Sequence, residues 1–176
     1  MVNNVAPGQE ARDNYGMMKI MRESATQISS DEWKTTLADH AAFIAGGGGG
    51  GKWQTVNIGE GPAGLVMGVY LGAKSEQGKQ ASVSQKNLEG LDLKGVELPY
   101  ANVVGVKCCK KDFEGANLEG SLFTDSDFTG TSFKNANLSK ADFSRSVMVD
   151  CDFTGSNVTG TDFENVDLTG AKGLQQ

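Results

Sequence analysis

The sequence is poor in the residues that most chemistry needs. It holds a single His and three Cys in 176 residues, too little for a multi-ligand metal centre or a spaced acid–base pair. Aromatics make up 7%, which argues against a core of bulky rings. Three Pro exclude a proline-rich linker. The longest apolar stretch, Ala63 to Ala73, is interrupted by glycines and is too short to span a bilayer. The opening residues, MVNNVAPGQEARDN, lack a basic n-region and an apolar h-region, so no secretory signal is read there. A cytoplasmic location with reduced thiols is the expectation. The net charge of −6 argues against direct nucleic-acid binding, which rests on Lys and Arg neutralising phosphates.

What the sequence has is a period of five. Apolar residues recur at Leu88, Leu93, Leu98, Val103, Cys108, Phe113, Leu118, Phe123, Phe128, Phe133, Leu138, Phe143, Met148, Phe153, Val158, Phe163 and Leu168. With 38% hydrophobic residues, chance would fill every position in roughly one case in ten million. Neither a helix nor a flat strand has this period. Two residues before each centre sits a second register, mostly small or β-branched, such as Ala116, Ser121, Ser126, Thr131 and Ala136. Asn or Asp commonly lies between the two, as at Asp112, Asn117 and Asp127. Two residues after the centre Gly is frequent, as at Gly90, Gly115, Gly130 and Gly155.

This pattern implies a shape. Each unit points one large and one small side chain inward. Gly permits the positive φ of a tight turn, and Asn and Asp satisfy turn backbone groups. If each unit turns the chain by a quarter, four units close a square coil. Coils stack about 4.8 Å apart, and the run makes about four of them. Identical inward positions then form ladders, which is how a solenoid buries a core.

The run from Ala116 to Phe143, AnLegSlFtdSdFtgTsFknAnLskAdF, resembles the pentapeptide repeat proteins, whose consensus is A(D/N)LXX. The resemblance covers about half the chain. It implies an all-β solenoid, a right-handed quadrilateral parallel β-helix, and leaves function open. Three departures stand out. Lys111 takes a small inward position, where a buried unpaired ammonium is costly, so a local bulge is expected, or else an outward swing of the side chain. Leu122 and Val147 replace the usual Asn or Asp, and Pro99-Tyr100 follow Leu98.

Domain boundaries follow from the repeat. Residues 81–172 form the β-helix, and 173–176 a short tail. Residues 1–80 are expected to act as a cap of arm, helices and short hairpin. Residues 1–14 read as a polar arm, and 15–28 allow a helix. Ser29 to Glu32 spells a capping box. The helix after it carries Trp33, Leu37, His40, Ala41 and Ile44 on one face. Six glycines, Gly46 to Gly51, end it. Trp53–Ile58 and Leu65–Leu71 read as two strands around a Gly-rich turn.

The remaining motifs read as structural. The glycines before Lys52 approach a phosphate loop, but Trp53 stands where Ser or Thr is needed and a helix, not a strand, precedes them. Gly59 to Gly64 matches GxGxxG, yet a β-rich segment follows it rather than a helix. His40 reads as a packed histidine. Cys108 and Cys151 fall at inward positions about 10 Å apart, too far for a disulfide. Cys109 faces outward and is a candidate reactive thiol. No catalytic residue, cofactor or metal is expected.

The functional expectation is a non-enzymatic module for protein–protein interaction, with an unidentified protein partner and no membrane. Sorted by face, Val104 and Leu122 adjoin Cys109, Val147 and Val149 in an apolar strip along one edge, a candidate contact surface. The last five residues are too few to cover a coil, so a homodimer through the C-terminal coil is also expected. Two alternatives remain. Some pentapeptide repeat proteins mimic DNA and protect DNA gyrase from quinolones, but acids and bases are mixed on every face here. An immunity or effector role is the other.

Overall fold

The computed structural model describes residues 25–58, 65–71 and 80–174. The arm over 1–14, most of the helix expected over 15–28, and the GxGxxG segment lie outside them. From Ser82 to Lys172 the chain climbs a parallel ladder in which residues twenty apart are paired, Ser82 with Asn102, Asn102 with Leu122, Leu122 with Asp142, and so on. Such bridges recur every five residues except at Asp92, and their twenty-residue offset makes a coil of four units: a parallel β-helix solenoid. Each bridge carries two backbone bonds to the same neighbouring coil, one donated and one accepted by the residue between the two partners. Asn117, for instance, donates to Val96 O at 2.9 Å and accepts from Leu98 N–H at 2.9 Å.

The corners follow the sequence pattern. The third residue after a centre donates back to it, as Ala116 does to Phe113 O at 3.0 Å. The Asn or Asp accepts from the N–H two residues on, as Asp112 does from Glu114 at 2.9 Å and Asp142 from Ser144 at 2.8 Å. The unit's last residue is left-handed, at Gly115 and Gly130 and equally at Asp125, Asn135, Lys140, Arg145 and Tyr100. The corner therefore imposes the conformation, and a non-glycine residue there accepts a cost of about 1–2 kcal/mol.

The core corrects one expectation. It is built from aromatic rings, although the chain holds few. Phe113, Phe123, Phe128, Phe133, Phe143 and Phe153 are all at most 1% exposed. Phe113, Phe133 and Phe153 stack in one column, with centroids 5.3 and 5.5 Å apart. Phe123, Phe143 and Phe163 stack in the opposite column at 4.9 and 5.9 Å, and Phe128 meets both edge-on. A four-sided coil has only four large inward positions, so a handful of Phe placed in register fills it. Each such ring pair adds about 0.5–1.5 kcal/mol beyond its buried area. The small register is satisfied too. Ser146 Oγ donates to Phe123 O at 2.8 Å and Thr131 Oγ1 to Cys108 O at 2.7 Å.

Of the three departures from the repeat, one interrupts the ladder. No bridge joins Asp92 to Asp112, while the next coil on that face (Asp112 to Ser132) and the adjoining faces (Asn87 to Lys107, Glu97 to Asn117) stay paired. Lys111 stands at the break, in an inward register that is otherwise mostly small. Its side chain turns outward, is half-buried, and Nζ donates to Glu89 O. The ladder runs unbroken through Leu122, Val147 and Tyr100.

The N-terminal elements meet the first coils. Thr26–Gln27 (β1) pairs in parallel with Lys86–Asn87 (β4), so the end of the segment expected to be helical is strand. Ser30–Phe43 (α1) starts as expected: Ser29 caps it, accepting from Glu32 N–H at 3.1 Å. Trp33 and His40 are buried and Leu37 is half-buried, but Ala41 is exposed and Phe43 takes its place inside. A π-type turn, Ile44–Gly48, follows. Lys52–Ile58 (β2) and Leu65–Leu71 (β3) pair antiparallel, Lys52 opposite Leu71. Ile28 and Trp33 share one continuous core with Ala81, Val83 and Leu88.

Candidate interaction surface

The outer faces are organised coil by coil. Asn157 Nδ2 donates to Asn137 Oδ1 at 3.3 Å, Asn137 to Asn117 at 3.2 Å, and Asn117 to Glu97 at 2.9 Å, forming one directional ladder. Arg145 forks onto Asp125 with bonds of 2.9 and 2.7 Å. Lys94 pairs with Glu114 at 2.6 Å and Lys140 with Glu119 at 2.7 Å. Asp152 lies between Lys134 at 3.4 Å and Lys172 at 3.1 Å, and accepts from Thr154 Oγ1 and N–H at 2.6 and 3.0 Å. These bonds, led by that of the Thr154 hydroxyl, hold the Asp152 carboxyl well below the usual carboxylate range.

The expected apolar strip is only partly present. Leu122 is fully buried and Val147 nearly so. Asn102 and Asp142 sit in register on either side of Leu122, and its chain neighbours Ser121, Phe123 and Thr124 are buried as well. Thr124 Oγ1 beside it is buried without a hydrogen-bond partner. Val104, Cys109 and Val149 are half-buried and remain at the surface.

Cys109 is not the reactive thiol its outward position suggested. Burial, and then the Asp127 carboxylate, push its thiol up to about 11. A thiolate is therefore scarce at neutral pH. Cys108 and Cys151 are free, buried core residues, as expected. Burial, the leading cause, pushes the Cys151 thiol up to about 12, against the lowering effect of a backbone hydrogen bond at Thr131. Among the described residues no group of three or more His, Cys, Asp or Glu is placed to hold a metal ion. No helix among them is long and apolar enough to cross a membrane.

Sequence reasoning missed a second apolar cluster outside the solenoid. Phe43 and Tyr100 are buried against each other, with Ile44 and Trp53 packed on them. Trp53 Nε1 donates to Gly120 O at 2.9 Å, and Tyr100 OH to Glu119 at 3.1 Å. The local signal was Tyr100 itself, a large ring at a corner where the repeat mostly places Gly, Asn or Asp.

Residues 112–148 and 146–172 match the family of pentapeptide repeats, with eight copies. Among solved structures, the chain is similar to QnrB1, a plasmid-mediated fluoroquinolone resistance protein. The identity is 19% and the TM-score 0.42, over 51% of this chain and 49% of that one. It is similar also to HetL, a pentapeptide repeat protein involved in heterocyst differentiation regulation in the cyanobacterium Nostoc. There the identity is 19% and the TM-score 0.30, over 52% and 53% of the two chains. A pentapeptide repeat protein of the Arabidopsis thaliana thylakoid lumen is 25% identical, with a TM-score of 0.32 over 57% and 72%. The chain thus spans about half the length of the first two. No curated protein matches the sequence. With its unbroken five-residue period, its twenty-residue coils and the family match over 112–172, the solenoid of this chain is a run of pentapeptide repeats.

Proposed function

We propose that this protein is a non-enzymatic interaction or scaffold module. In this reading residues 81–172 form a right-handed quadrilateral rod of about four coils. Residues 1–80 close its N-terminal end, and 173–176 are a tail. The observation that carries the reading is the solid core: rings at most 1% exposed fill the coils from Phe113 to Phe153. The rod therefore has its chemistry on its outside, where cross-coil bonds hold side chains in fixed rows. Such a surface suits a protein partner better than a small substrate. Val104, Cys109 and Val149 are the apolar points of the proposed contact edge; Leu122 and Val147 are withdrawn from it. A pull-down with the intact chain, compared with Val104→Asp/Val149→Asp, tests the edge. The expected result is a protein retained by the parent and lost from a variant whose circular dichroism is unchanged. Recovery of the same proteins on both baits refutes it.

The gyrase-directed reading needs an unpaired acidic stripe. Glu114, Glu119, Asp125 and Asp152 are each paired with a cation instead, which favours the general module, an immunity or effector protein included. Protection of gyrase supercoiling from a quinolone by added protein would overturn that preference. A homodimer is part of the proposal. Phe163 and Leu168 on the last coil are only partly buried, and a second copy would cover them. Light scattering that finds a monomer at high concentration counts against it.

A further inference from the structure

The one histidine of the chain sits where α1 meets the first coils, and both of its ring nitrogens are engaged. Ala81 N–H donates to Nδ1 at 3.0 Å, and Nε2 lies 2.9 Å from Pro99 O. A backbone N–H can only donate and a carbonyl can only accept, so the ring is neutral with its proton on Nε2. The ring is fully buried and stacks on Phe43, with centroids 5.7 Å apart. A second proton would place N–H against N–H at Ala81 and a charge among apolar neighbours.

Among the described residues no anion stands by to compensate. On α1 itself, Asp39 is exposed. On the coils, Ala81 and Pro99 carry no charge, and Tyr100 next in line donates its hydroxyl to Glu119. Glu119 is already bound to Lys140 at 2.7 Å. Burial, the leading cause, lowers the pKa of His40 from its ordinary value, and the bond to Pro99 opposes it.

We propose that His40 is a protonation-operated latch: uptake of a proton at Nδ1 breaks the bond from Ala81 and releases α1, uncovering the apolar end of the solenoid beneath Trp33. The direction follows from linkage. The released form binds its proton near pH 6.5, the docked form only at lower pH. Docking is therefore at full strength above about pH 6.5, weakens as the pH falls through the window below it, and levels off beneath the docked value.

The test uses the intact chain. Its two tryptophans, Trp33 and Trp53, both lie at this junction, and its single imidazole gives one set of ring resonances. Titration from about pH 8 to 5, above the range where ordinary carboxylates protonate, should show the His40 ring titrating below 6.5. The tryptophan emission should shift to the red in step, while the far-ultraviolet dichroism of the rod stays constant. His40→Gln keeps a donor for Pro99 O and cannot titrate in this range, so its emission should be flat over the same pH span. The proposal is overturned if the wild-type ring protonates with no change in emission, or if the emission shift persists in His40→Gln. Should that variant not fold, the wild-type ring and emission titrations decide alone.

Discussion

Gly120 and Gly115 offer a matched pair of perturbations on consecutive corners. Both are left-handed, with φ of 61° and 69°. A methyl group at Gly115 meets nothing within 4 Å, whereas at Gly120 it falls 2.5 Å from the Tyr100 ring. Gly115→Ala should therefore cost only the conformational penalty, about 1–2 kcal/mol. Gly120→Ala carries the same penalty and must also displace Tyr100. That movement gives up the bond to Glu119, about 0.5–1.5 kcal/mol, and loosens the packing on Phe43 and Trp53. The excess of Gly120→Ala over Gly115→Ala should be about 1–3 kcal/mol. Urea unfolding followed by circular dichroism and tryptophan emission measures both. In a Tyr100→Ala background the excess should vanish, because the obstructing ring is gone. Equal midpoints for Gly115→Ala and Gly120→Ala in the parent chain would refute the contact.

Two further outcomes are expected. Phe133→Ala removes the middle ring of a column and should lower stability by about 3–5 kcal/mol in chemical denaturation; a loss below 1 kcal/mol would show that the coils are not held by ring stacking. Lys111→Ala returns a small residue to the inward register and should restore bonding between the Leu91–Leu93 and Lys111–Phe113 segments. Stability should rise by about 1–2 kcal/mol, with slower hydrogen exchange at the Leu93 and Asp112 amides; unchanged exchange at both would refute the account of the break.

The repeat was legible because its cause is local. Each five-residue unit carries its own inward pair, Asx acceptor and corner, so Leu88 to Leu168 could be placed inside without knowing what each touches. The Lys111 interruption was legible for the same reason, since an ammonium at an inward position conflicts with its own unit. What joins distant units left no such trace. His40 meets Pro99 across 59 residues, and Trp53 meets Gly120 across 67. Leu122 looked exposed because its repeat position is normally polar, yet the coils on either side and its own buried neighbours enclose it. Composition misled as well. A low aromatic fraction averages over the whole chain, whereas the coil gathers its rings into two columns.

The molecule keeps two clocks. The interior repeats every five residues, but the exterior repeats only every twenty, since Arg145 needs Asp125 one coil away and Asn137 needs Asn117 and Asn157. Loss of a single quintet would leave every Phe and Leu beyond it pointing inward while rotating the outside by a quarter-turn, so that each surface partnership spanning the cut finds a stranger opposite. Loss of four quintets together would restore them. Length changes in whole coils should therefore be tolerated by fold and recognition alike, and smaller multiples of five by the fold alone.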